Sequence, residues 1–124
     1  MVNEKRNKRE MLEDRLIDFA IKVNQLLEEL PHNYFGNNLS SQLARSSTSP
    51  ALNYGEAQAS ESTKDFIHKM KVVLKELRET YVGIKIIERG ELVKDKVLLS
   101  KVKIEANELI SIFVASINTA TRRL

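Results

Sequence analysis

The stretch Gln42-Leu-Ala-Arg-Ser-Ser-Thr-Ser-Pro-Ala-Leu-Asn-Tyr-Gly-Glu-Ala-Gln-Ala-Ser60 has the composition of a loop and the periodicity of a helix. Serine, threonine, proline and glycine are the usual linker residues. At a helical 100° per residue, however, Gln42, Arg45, Ser46, Ser49, Asn53, Glu56 and Ser60 share an arc of about 100°, and Leu39, Leu43, Pro50, Tyr54 and Ala57 share a separate arc of about 60° beside it. A linker would not sort its side chains in this way. The spacing predicts a helix from about Leu39 to Ala59, with a narrow apolar stripe beside a stripe of small polar side chains. Pro50 removes one backbone hydrogen bond inside it, so a kink is expected near Ser46 to Ser49, where the serines can serve the freed backbone groups.

Working outward, Leu12, Leu16, Phe19, Ala20, Val23, Leu26, Leu27 and Leu30 recur at three- and four-residue steps, which predicts a first helix from Met11 that ends at Pro31 and Gly36. Residues 1–10 are rich in Lys and Arg without apolar periodicity and read as a flexible basic leader; residues 11–124 read as one bundle domain. Asn37 or Asn38 is the expected N-cap of the second helix. Ser62 or Thr63 should cap a third helix, with Asp65 in its first turn, Phe66, Ile67, Met70, Val73, Leu74, Leu77, Tyr81 and Ile84 on its apolar face, and Gly90 as its stop. Gly83 inside that helix points to close packing on its side. A fourth helix from about Asp95 to Arg122 carries the stripe Leu98, Val102, Ala106, Leu109, Phe113, Ile117 and Ala120. Leu99, Ile104, Ile110, Ile112 and Val114 widen it beyond what bundle neighbours cover, which predicts self-association. Four long helices with short connections predict an all-α, antiparallel up-down-up-down four-helix bundle.

The composition agrees: 124 residues, 42% hydrophobic and 30% charged, with two prolines and four glycines. With no cysteine, a disulfide framework, thiolate zinc sites and thiol catalysis are excluded. No run has the roughly 18 apolar residues of a membrane span, and no apolar signal core follows the first basic residues, so a soluble, cytoplasmic protein is expected. The formal charge of +3 and pI near 9.2 favour an anionic partner only where the cations cluster.

They cluster on the third helix, where Lys64, His68, Lys71, Lys75, Arg78 and Lys85 fall within about 100° with no acid among them. Such a stripe can follow a phosphate backbone, or it can be a solvated face that Glu76 and Glu79 partly neutralise. Lys5, Arg6, Lys8, Arg9, Arg122 and Arg123 could extend it. The stripe of Gln42, Arg45, Ser46, Ser49, Asn53 and Glu56 is unlike a solvated face, which is normally rich in Lys and Glu. It reads as a structural or interface seam in which Arg45 and Glu56, too far apart to pair with one another, each meet another helix or subunit. Glu29-x-x-His32 and Asp65-x-x-His68 mimic carboxylate–histidine metal pairs, but Pro31 interrupts the first and His68 points off the apolar face, so no metal or other cofactor is expected. No titratable groups converge on the core faces and no nucleophile elbow is present; no enzyme and no catalytic residue are expected.

Gln42-Leu-x-Arg45-Ser46-Ser-x-Ser49, Asn53, Glu56-Ala57, Ser62-x-x-Asp65-Phe66-Ile-x-Lys69 and Glu76-x-x-Glu79-Thr80 together resemble the bacterial four-helix-bundle proteins encoded in intervening sequences of 23S ribosomal RNA genes. The resemblance spans roughly residues 12–120. It implies a homo-oligomeric ring, a homopentamer, and RNA or DNA binding; a related bundle, the accessory variability protein of diversity-generating retroelements, implies a partner protein such as a reverse transcriptase as the alternative. It transfers no catalytic residue. Many members carry a large aromatic near position 83, where this chain has glycine.

Overall fold

The computed structural model describes residues 4–124, with side-chain surroundings from residue 8 onward. It contains four helices, α1 (Glu4–Leu27), α2 (Tyr34–Gln58), α3 (Thr63–Arg89) and α4 (Lys96–Arg122), and no strand among the described residues. α2 packs on α1 and α3, α3 packs on α4, and α4 closes on α1, so each helix touches two others and faces the remaining one across the core. The α1–α4 contact is the least extensive.

The core follows the apolar stripes. Leu16, Phe19, Val23 and Leu26 of α1 meet Met70, Val73, Leu77 and Ile84 of α3 and Val102, Leu109 and Phe113 of α4, all essentially shielded from water. Tyr54 of α2 reaches across to Phe113 of α4, with ring centroids 5.7 Å apart and planes at 83°, an edge-to-face contact.

Helix boundaries depart from expectation in α1 and α2. Helical backbone begins at Glu4, ahead of the apolar pattern, so most of the basic leader lies within α1; Met1, Val2 and Asn3 lie outside the described residues. α2 begins at Tyr34, not near Leu39, because Asn33 takes the capping position: its side-chain oxygen accepts the Gly36 N–H at 2.8 Å. The expected N-cap at Asn37 or Asn38 is therefore displaced to Asn33, and Tyr34 to Asn37 form the first turn of the helix.

α2 then runs as continuous α-helix through Pro50. Polar side chains serve the carbonyls around the proline: Thr48 Oγ1 donates to Ala44 O at 2.9 Å, and Asn53 Nδ2 donates to Ser49 O at 3.0 Å. Ser62 caps α3, accepting the Asp65 N–H at 3.1 Å, and Asp95 caps α4, accepting the Leu98 N–H at 2.9 Å. α3 ends at Gly90, but Gly90 has a right-handed φ of −80° and the positive φ of 51° falls on Glu91. A second acceptor closes the start of α4 from outside. Glu29, just past α1, takes the Lys94 and Asp95 N–H groups on one carboxylate oxygen at 3.0 and 3.1 Å.

On α4 the core position is Leu99, with Leu98 only half-buried. Ile110, Ile112 and Val114 are also half-buried, whereas Ile104 and Val97 stand exposed.

Candidate nucleic-acid interface

The motif residues of α2 and α3 meet along the seam between those helices. Ser46 and Thr80 are both buried and their hydroxyls lie 2.8 Å apart. Thr80 donates its one proton to Glu76 O at 2.9 Å, so Ser46 is the donor to Thr80. Gly83 lets the helices approach: a Cβ there would sit 2.8 Å from Leu43 Cδ1 and 2.9 Å from Leu43 Cγ. This is the packing that glycine in the middle of α3 predicted, and it leaves no room for a large aromatic.

Arg45 extends over the same seam toward two carboxylates of α3. Its guanidinium lies 3.9 Å from Glu76 Oε2 and 3.9 Å from Glu79 Oε2, with 65% of the side chain still exposed. Glu76 is only 12% exposed, and its Oε2 is buried without a hydrogen-bond partner among the described residues. At 3.9 Å Arg45 compensates that charge through space rather than by a hydrogen bond. The other stripe residues divide. Ser49 and Asn53 bond to each other at 2.7 Å, Gln42 is exposed near Asn38, and Glu56 is exposed without an ion pair among the described residues. Arg45 thus finds its partners on another helix; Glu56 forms no ion pair among the described residues.

On the outer side of α3, Lys64, Lys71, Lys75 and Arg78 are exposed, and none forms an ion pair among the described residues. Glu76, expected to temper this face, is turned toward Arg45 instead; Glu79 is shared between Arg45 and the edge of the basic face. Lys71, Lys75 and Arg78, with Glu79, line a shallow open groove of about 510 Å³ with Leu74 and Val82 at its base. Lys85 is half-buried, its ammonium 4.8 Å from the centre of the Tyr81 ring, outside the groove lining. Lys64 stands about two turns before the groove and His68 just under one.

Lys5 and Arg6 have side chains outside those described. Arg9 and Arg123 do not join the α3 face; both line a separate cleft of about 390 Å³ with Tyr54 and Phe66. Sequence periodicity could not have found this cleft, since it collects residues from all four helices.

The metal-like pairs are used otherwise. Glu29 caps α4, and Asp65 accepts a hydrogen bond from Lys69 at 3.0 Å. That bond, with a second from the Glu61 N–H, holds the Asp65 carboxyl below its ordinary pKa. No cluster of His, Asp or Glu able to hold a metal ion occurs among the described residues. No helix among them is long and apolar enough to cross a membrane.

An all-α four-helix bundle with Arg45, Ser46, Glu76, Glu79 and Thr80 gathered on one seam defines the class of protein. The family model described as 23S rRNA-intervening sequence protein matches residues 12–115, and the chain belongs to that family. It is similar to a protein of unknown function from the S23 ribosomal protein family of Bacteroides thetaiotaomicron, known from a crystal structure. Identity is 26% and the TM-score 0.78, over 90% of this chain and 98% of that one. No curated protein matches the chain.

Proposed function

We propose that the chain is a non-enzymatic, self-associating bundle that binds structured RNA through the outer face of α3. One observation carries this reading: Lys64, Lys71, Lys75 and Arg78 are exposed along one helix face and form no ion pair among the described residues. Lys64 to Arg78 spans roughly 21 Å of helix at 1.5 Å per residue, long enough to meet several phosphates. The helices are antiparallel, up-down-up-down. The connections of four to six residues (28–33, 59–62 and 90–95) reach at most about 20 Å, which cannot return the chain along a helix of about 36 Å or more.

Self-association follows from surface that the chain leaves uncovered: Val97 and Ile104 on α4, and Ile17 and Ile21 on α1. In a homopentameric ring, the stoichiometry the family resemblance implies, weak phosphate-binding faces add by avidity. The setting proposed is the cytoplasm. The test is fluorescence anisotropy with a labelled RNA hairpin and the triple variant Lys71→Ala/Lys75→Ala/Arg78→Ala. The reading expects affinity to fall by about tenfold or more, each lost phosphate contact contributing on the order of 1 kcal/mol; unchanged affinity overturns it. The second reading, a scaffold that docks a partner protein such as a reverse transcriptase, is favoured by the apolar base of the groove, Leu74 and Val82. Capture of that protein surviving nuclease treatment would support it.

A further inference from the structure

The cleft that holds Arg9 and Arg123 is built by all four helices at one end of the bundle. Leu12, Phe66 and Met70 give it an apolar wall, Gln58, Ser116 and Thr119 give it hydrogen-bonding groups, and the two arginines are cationic. It continues into a recess of about 290 Å³ that shares Arg9, Phe66 and Arg123 and reaches Ser60, Glu61, Ser62 and Thr63 at the start of α3, so the two arginines there face one carboxylate. Cavities of this size accept small organic ligands. Neither arginine forms an ion pair among the described residues.

A second observation points to a ligand. Tyr54 is only 5% exposed as a residue and lines the cleft; its hydroxyl forms no hydrogen bond among the described residues and is not sealed off from solvent, so it is open to the cleft. Burial raises the phenol pKa, while Arg9 acts on it in the opposite sense and Glu13 in the same sense. Arg9 and Tyr54 line the same cleft.

We propose that this end cleft is a nucleotide site: a base packs against Phe66, Leu12 and Met70 with its edge toward Gln58, Ser116 and Thr119, and its phosphate lies between Arg9, Arg123 and the Tyr54 hydroxyl at the start of α3. A flat heterocycle uses both the apolar wall and the hydrogen-bonding groups beside it, which a hydrocarbon chain would leave unpaired. The phosphate is the group that two guanidiniums without an ion pair among the described residues favour. The nucleotide is either free or an unpaired residue of an RNA strand. The site does not depend on the α3 basic face.

The chain has three tyrosines and no tryptophan, so intrinsic emission reports on tyrosine. Full-length protein is titrated with AMP, adenosine, octyl phosphate and a single-stranded oligoadenylate, following tyrosine emission and calorimetric heat. AMP is expected to bind about tenfold or more tightly than adenosine, and Arg9→Ala/Arg123→Ala to weaken AMP by about tenfold or more. Tyr54→Phe, which keeps the ring against Phe113, is expected to weaken AMP by about fivefold, the loss of one hydrogen bond. The Lys71→Ala/Lys75→Ala/Arg78→Ala variant should bind AMP as wild type, which separates this site from the α3 reading. Oligoadenylate that displaces AMP assigns the source as an RNA strand; AMP binding without such competition assigns a free nucleotide. Absence of AMP and oligoadenylate binding up to about 1 mM overturns the proposal. So does AMP affinity unchanged in the Arg9/Arg123 and Tyr54 variants, or octyl phosphate binding more tightly than AMP.

Discussion

At the seam between α2 and α3, three residues set how closely the helices lie. Thr80 accepts from Ser46 and donates to Glu76 O, so Thr80→Val leaves a buried hydroxyl without its acceptor, whereas Ser46→Ala leaves Thr80 with its backbone bond. Urea unfolding should therefore show a loss of about 1–3 kcal/mol for Thr80→Val and a smaller one for Ser46→Ala. Two glycines give opposite signs. Gly55 is exposed with open space where a Cβ would lie, and Gly55→Ala should stabilise by up to about 1 kcal/mol through helix propensity. Gly83→Ala gains the same propensity but drives a methyl into buried Leu43, at a cost of about 1–3 kcal/mol, and should be net destabilising. At this scale the sequence was half legible. Gly83 signalled a close approach without naming Leu43, and the polar stripe signalled a seam without showing that Ser46 is buried while Glu56 is not. Both depend on which helix lies opposite, and helical periodicity carries no information about that.

Among the elements, the helix ends are held by side chains of three kinds: local caps at Asn33, Ser62 and Asp95, a first-turn acid at Asp65, and Glu29 reaching from the end of α1 to the start of α4. Because the α1–α4 contact is the least extensive in the bundle, removing Glu29 should be felt there. Glu29→Ala should cost about 0.5–2 kcal/mol by thermal unfolding and Glu29→Gln, which keeps an acceptor, less. Asp65 adds a pH dependence. Its folded-state pKa is lowered by the bond from Lys69, so its stabilising contribution is fully present above the unfolded-state pKa and is lost as pH falls through the folded-state value. The Tm difference between wild type and Asp65→Asn should thus be largest near neutral pH and vanish in strong acid. The cap at Ser62 and the start of α4 at Asp95 could be read from the sequence because each polar residue stands within a turn of an apolar period. The cap at Asn33 could not, since Tyr34, Phe35 and Gly36 looked like turn chemistry, and the reach of Glu29 is a contact between segments far apart in sequence.

For the whole molecule, charge placement matters more than total charge. A net +3 is small, but Arg45 draws Glu76 and part of Glu79 away from the outer face of α3, and Lys64, Lys71, Lys75 and Arg78 form no ion pair among the described residues. Reversing that arrangement by Arg45→Glu should release Glu76 and Glu79 from Arg45 and weaken RNA binding about as much as losing a phosphate contact, on the order of 1 kcal/mol, without any contact of its own. The four-helix architecture was legible in four apolar periods; the end cleft was not, because its walls come from four separate stretches. RNA binding through α3 is the central claim, and the salt dependence of affinity tests it most directly. If Lys71, Lys75 and Arg78 neutralise phosphates, log K should fall linearly with log salt, and the triple alanine variant should show a slope shallower by about 2–3. An RNA affinity indifferent to salt, or a slope identical in wild type and variant, would contradict it.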